Sequence, residues 1–141
     1  IGTSDRMEKD LIPELGIKYE AINVSGLKRK LTLDNIKVLY QFLKARNRCK
    51  KIIKEFKPDV IIGTGGFVCV PMLLAGKLMK CPTYIHEQNA YPGLANRFLE
   101  RAVNNIFLGF DDAREFFKMP EKLIYAGNPV RKNFFTITKC I

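Results

Sequence analysis

The chain has 141 residues, of which 47% are hydrophobic, a net charge of +10 and four cysteines. That length supplies one domain with its own core and is too short for two ordinary ones. Wholly apolar runs such as Met72–Ala75 fall far short of the roughly 20 residues a bilayer crossing needs, so a soluble or peripheral protein is expected.

In chain order, Ile1 reads as the stub of a strand. The start Ile1–Arg6 has neither an initiator Met nor a basic leader with an apolar segment, so an interior start is expected. Asp5 to Leu15 suits a helix, capped by Ser4 or Asp5 and followed by Gly16, with Pro13 disturbing its last turn. A strand is expected from Lys18 to Val24. From about Leu33 to Phe56 the apolar residues Ile36, Leu39, Tyr40, Leu43, Ile52, Ile53 and Phe56 recur near helical spacing. Val60-Ile61-Ile62 is the clearest buried strand, and a helix follows from about Val68 to Met79, with Pro71 tolerated in its first turn. Further strands fit Thr83–His86, Asn105–Leu108 and Lys122–Tyr125, and short helices fit Gly93–Arg101 and Asp111–Phe117. Strands separated by helical stretches predict an α/β fold, a Rossmann-like, mainly parallel sheet with flanking helices.

The charge is concentrated. Eleven basic residues lie between Lys28 and Lys57, against only Asp34 and Glu55. So one-sided a segment suits an anionic surface such as phospholipid head groups, a pyrophosphate or nucleic acid; a solvated helix face is the bland alternative. Cys49, Cys69, Cys81 and Cys140 form no CxxC pair, and His86 is the single histidine, so no metal site is expected. The cysteines read as reduced structural thiols of a cytosolic protein.

Three motifs follow strands. Gly63-Thr64-Gly65-Gly66-Phe67 opens a helix, where glycines permit unusual backbone angles and leave N–H groups reachable by an anion; a tight strand-to-helix turn is the alternative. It is neither a dinucleotide fingerprint nor a phosphate loop of the GxxxxGK[ST] type. Ile85-His86-Glu87-Gln88-Asn89 puts polar side chains just past an apolar strand, where open α/β sheets gather ligands. Taken singly, His86 could be a satisfied half-buried histidine, and Glu87 could pair with a nearby arginine. In Gly127-Asn128-Pro129-Val130-Arg131 the Asn-Pro step makes a rigid turn that projects Arg131, whose fork of donors suits a phosphate or a sugar oxygen.

These motifs, with Pro92-Gly93-Leu94, Asn96 and the upstream Gly26-Leu27-Lys28-Arg29-Lys30, stand in the order found in the MurG family of bacterial glycosyltransferases, which the chain resembles from its first residues to about Phe134. The resemblance implies a GT-B enzyme of two Rossmann-like domains with the donor in the cleft between them. Residues 1–134 would be an incomplete N-terminal domain on the acceptor and membrane side, and residues 135–141 the start of the interdomain connection. The family's first glycine-rich loop, with its histidine, would precede Ile1, and its C-terminal donor domain would lie outside these 141 residues. The implied reaction is an inverting transfer of N-acetylglucosamine from UDP-N-acetylglucosamine to undecaprenyl-pyrophosphoryl-N-acetylmuramyl-pentapeptide (lipid I to lipid II) in peptidoglycan synthesis.

By the same resemblance, Asn89 and Arg131 contact the sugar nucleotide, and the loop of Gly63, Thr64, Gly65 and Gly66 faces the acceptor pyrophosphate. Lys28, Arg29 and Lys30, with Leu31, Leu33, Leu39 and Phe42, would lie against the anionic cytoplasmic face of the plasma membrane. Cys69-Val70 replaces the family's usual Ser-Gly. No cofactor or metal is called for, the catalytic base is expected outside this chain, and His86 is expected to be scaffold. The rival readings are a basic nucleic-acid-binding module, which lacks an aromatic platform or a helix-turn-helix signature, and a nucleotide-sugar epimerase or related Rossmann enzyme.

Overall fold

The computed structural model describes residues 1–22, 24 and 34–131, without the side chains of residues 34–39. Its elements are α1 (Glu8–Glu14), α2 (Asp34–Phe56), β1 (Ile61–Gly63), α3 (Cys69–Leu78), β2 (Thr83–Glu87), α4 (Leu94–Leu99), β3 (Asn105–Leu108), 3-10 turns at Asp111–Phe116 and Pro120–Lys122, and β4 (Leu123–Tyr125). The four strands form one wholly parallel sheet in sequential order. In register, Ile61 pairs with Thr83, Ile85 with Ile106, and Ile106 with Leu123. The expected parallel α/β sheet is present, and no helix among the described residues is long and apolar enough to cross a membrane.

Strand alternation places Ile61, Gly63, Thr83, Ile85, Glu87, Ile106, Leu108 and Leu123 on one buried face. α3 lies on that face and is apolar nearly all round, as a helix sandwiched between layers must be. Its Gly76 brings the backbone close to the sheet: a Cβ there would lie 2.7 Å from Ile61 Cδ1 and 2.8 Å from Thr83 Cγ2. α2 packs against α3 and buries Ala45, Cys49, Ile52 and Ile53. This corrects the sequence expectation for α2, because Tyr40, Leu43 and Phe56 are exposed. The buried stripe keeps the expected Ile52 and Ile53 and adds the small Ala45 and Cys49, which let the helices approach closely there.

The other departures have local causes. Val60 and Ile62 are 47% and 59% exposed, so β1 is buried on one side only. The expected strand at Lys18–Val24 is reduced to one parallel bridge between Gly2 and Ala21, held by Gly2 N–H to Glu20 O and Ile22 N–H to Gly2 O. Among the described residues it is not hydrogen-bonded to the main sheet, although Ile1, Lys18 and Glu20 line a groove together with Ile61 and Ile62 of β1. Asp111–Phe116 winds as a 3-10 helix, in which residues three apart eclipse, and Arg114 accordingly clasps Asp111 at 2.9 Å. Pro13 sits inside α1, which ends as expected at Gly16 in a left-handed conformation, φ +73°.

Candidate functional site

The carboxyl ends of all four strands open on the same edge of the sheet, so the loops after β1, β2, β3 and β4 lie side by side. The loop after β1 holds two left-handed glycines, Gly65 at φ +103° and Gly66 at φ +77°. The chain thus turns abruptly from strand to helix without a side chain in the way. Gly63 is needed for proximity instead, since a Cβ there would approach Leu73 Cδ1 to 2.8 Å. Cys69 braces the loop: its thiol donates to Gly65 O at 2.7 Å, and burial raises its pKa, keeping the proton that makes this bond. The expected glycine loop therefore exists as a built turn, with Thr64 and Gly66 exposed.

The loop after β2 is organised by Glu87. Its position on the same face as Thr83 and Ile85 carries the carboxylate inward, where it is 1% exposed. Two acceptor oxygens there meet four donors. Oε1 accepts Asn89 N–H and Asn89 Nδ2–H, both at 3.0 Å. Oε2 accepts Gly93 N–H at 3.0 Å and Asn96 Nδ2–H at 2.8 Å. No arginine is among these partners, so the reading of Glu87 as half of an arginine pair is corrected. Sequence reasoning missed this role because the expected strand ended at His86, whereas β2 runs on to Glu87 and its alternation turns that residue inward.

Asn96, 2% exposed, connects this loop to the glycine loop. A Cβ on Gly65 would lie 3.4 Å from its Nδ2 and 3.7 Å from its Oδ1. Farther along the rim, His86 Nε2 lies 3.0 Å from Gly127 O. A carbonyl only accepts, so Nε2 carries the proton and donates it there, which suits the scaffold expected of His86. Asn128 Nδ2–H donates to Gln88 O at 3.1 Å, and its Oδ1 packs so tightly on Gly109 that a Cβ there would lie 2.1 Å away. Gly109 N–H in turn donates to Glu87 O at 2.8 Å.

The structure therefore places Asn89 and Arg131, both exposed, on neighbouring loops that are bonded to each other. The turn of Gly63, Thr64, Gly65 and Gly66 adjoins them through Asn96. Lys28, Arg29, Lys30, Leu31 and Leu33 lie outside the described residues, and Leu39 falls within α2. Phe42 is half-buried against the core, because it precedes Ala45 and Cys49 by three and seven residues on the inward stripe of α2; Tyr40 and Leu43 face outward. Among the described residues no group of three or more His, Cys, Asp or Glu side chains is placed to hold a metal ion.

A wholly parallel sheet with flanking helices defines a Rossmann-like α/β domain. The chain belongs to a glycosyltransferase family: the model for the glycosyltransferase family 28 N-terminal domain matches residues 1–108. A protein of Alkaliphilus oremlandii named UDP-N-acetylglucosamine–N-acetylmuramyl-(pentapeptide) pyrophosphoryl-undecaprenol N-acetylglucosamine transferase is 48% identical over 139 residues, covering 99% of this chain and 38% of the relative. A protein of the same name from Bacillus pumilus is 47% identical, covering 92% and 35%. The chain thus spans little more than a third of the length of these relatives. The crystal structure of Acinetobacter baumannii MurG matches with a TM-score of 0.71 at 30% identity, over 92% of this chain and 36% of that one. A co-structure of S. aureus MnaA with UDP matches with a TM-score of 0.63 at 15% identity, over 89% and 35%, and shares the fold.

Proposed function

We propose that this chain is the acceptor-side part of an inverting hexosyltransferase that moves N-acetylglucosamine from UDP-N-acetylglucosamine to undecaprenyl-pyrophosphoryl-N-acetylmuramyl-pentapeptide. The observation that carries the reading is the cross-bonded rim. It gathers the family's motif residues from separate loops onto one edge, in a chain 48% identical to a transferase of that name.

In this reading Asn89 and Arg131 meet the sugar nucleotide. Arg131 offers a planar fork of donors for phosphate oxygens, and Asn89 an amide for the sugar. The turn from Gly63 to Gly66, at the start of the ten-residue α3, presents backbone N–H groups and the positive end of a helix dipole to the acceptor pyrophosphate. The acceptor hydroxyl attacks the anomeric carbon from the face opposite the leaving UDP, and its proton passes to a base outside this chain. His86, whose Nε2–H donates to Gly127 O, serves in this reading as scaffold that ties the loop after β4 to β2. The basic segment from Lys28, with Leu31, Leu33 and Leu39, lies on anionic lipid at the cytoplasmic face. Phe42 packs on the core, so the apolar contribution of the described part of α2 comes from Tyr40 and Leu43.

The test is transfer by the full-length protein from labelled UDP-N-acetylglucosamine to a lipid I analogue. Product formation is expected, and a full-length protein that transfers no sugar from any nucleotide donor overturns the reading. R131A is expected to weaken nucleotide-sugar binding about 10- to 100-fold, as loss of a charge-assisted hydrogen bond does. Equilibrium titration checks it.

A further inference from the structure

The peptide between Gly65 and Gly66 joins the two left-handed glycines of the loop, φ +103° and +77°. With no Cβ on either side, neither orientation of this peptide plane meets a steric barrier, so hydrogen bonds decide which edge faces outward. A trans peptide points its C=O and its N–H in opposite directions. Gly65 O is turned toward the first residue of α3, where the Cys69 thiol donates to it at 2.7 Å. Gly66 N–H therefore points away from Cys69, on an exposed residue where an added Cβ would meet nothing within 4 Å. A thiol is a weak donor, but between two glycines a weak bond is enough to tip the balance. Asn96 shows that the loop's donors have not turned inward. Its Oδ1 is buried beside Gly65, 3.7 Å from where a Cβ would stand, and has no hydrogen-bond partner. A buried acceptor without a donor is costly, and a loop N–H rotated inward would relieve that cost, so the outward arrangement needs a restraint.

We propose that Cys69 is a positioning residue whose thiol locks the Gly65–Gly66 peptide with its C=O toward α3 and its N–H outward, so that the loop meets a phosphate oxygen as a donor. With the peptide reversed, the loop presents a carbonyl at the same place, and a carbonyl oxygen repels a phosphate oxygen. One side chain, three residues beyond Gly66, thus selects between a loop that attracts an anion and one that rejects it. The substrate group affected is the diphosphate of the acceptor. The sugar nucleotide on Asn89 and Arg131 is not.

This role rests on the transferase reading and is tested in the full-length protein with C69A and C69S, by KM for a lipid I analogue and for UDP-N-acetylglucosamine. C69A is expected to raise the KM of the lipid I analogue about 10-fold, the order for one lost hydrogen bond to a charged group, with the donor KM changed less than about 2-fold. C69S keeps a donor and should restore the parent value. C69V fills the space without a donor and covers the case in which C69A fails to fold; it should show the same acceptor-specific loss. A thiol that only supports the fold would affect both substrates alike. In protein labelled with 15N-glycine, inorganic pyrophosphate should shift the Gly66 amide in the parent and in C69S, and leave it nearly unmoved in C69A or C69V. Equal rises in the two KM values, a C69S that behaves like C69A, or a Gly66 amide that ignores pyrophosphate in the parent overturns the proposal. A parent that shows the Gly66 response yet transfers no sugar overturns the functional reading instead.

Discussion

Gly109 shows how closely the rim loops approach one another. A Cβ at this position would stand 2.1 Å from Asn128 Oδ1 and 2.7 Å from its Cγ, so G109A must expel the Asn128 side chain and break its bond to Gln88 O. The expected cost is about 1–3 kcal/mol of stability, read from urea denaturation, with a weaker grip on nucleotide sugar as the second sign. Cys49 makes a different prediction. Fully buried between α2 and the core, it has its thiol pKa pushed up to about 11 by burial. The folded state holds this proton more tightly than the unfolded chain does, so its contribution to stability is complete below the unfolded pKa of roughly 8.5 and is lost as pH rises toward about 11. Denaturation midpoints of the parent should fall across that window, and those of C49A should fall less. At this scale the order of motifs along the chain singled out Asn89 and Arg131, which stand exposed on loops bonded to each other. It concealed Asn96, whose importance comes from one unpaired oxygen and from a glycine that is 31 positions away in sequence.

The elements were legible where hydrophobic pattern and neighbours agree. Asn105–Leu108 is a strand with the expected ends, and α3 lies within one residue of its expected limits, because apolar runs bounded by turn residues leave little freedom. Elements that depend on a distant partner were not legible. The residues around Ala21 have strand composition, yet only one bridge forms. The inward stripe of α2 was misread because Ala45 and Cys49 carry little hydrophobic signal, although they determine how near α2 sits to α3. Gly76 plays the same part between α3 and the sheet. G76A is expected to cost about 1–3 kcal/mol through overpacking against Ile61 and Thr83, measured as a lower denaturation midpoint with an unchanged m-value.

For the whole molecule, among the described residues, α3 packs on one face of the sheet, and on the opposite face Ile62 and Ile124 are 59% and 43% exposed. Among the described residues β1 is the edge of the sheet, and beside it a groove of about 430 Å³ is lined by Ile1, Phe56, Ile61 and Ile62 with Lys18 and Glu20. Apolar surface next to an open strand edge favours self-association. The 141-residue chain alone should form concentration-dependent oligomers in analytical ultracentrifugation, and I62K should reduce them. The rim at the other edge behaves differently. Its loops are bonded to one another, through Glu87 to Asn96 and Gly93, Gly109 to Glu87, His86 to Gly127 and Asn128 to Gln88. Loops fastened in this way move as one plate, so the amides of Asn89, Gly93, Gly109 and Gly127 should exchange with deuterium together rather than loop by loop. A ligand meeting such a plate finds its contacts already assembled and loses little entropy in ordering them. Differences in affinity among related ligands should then be expressed in how slowly they leave, not in how fast they arrive.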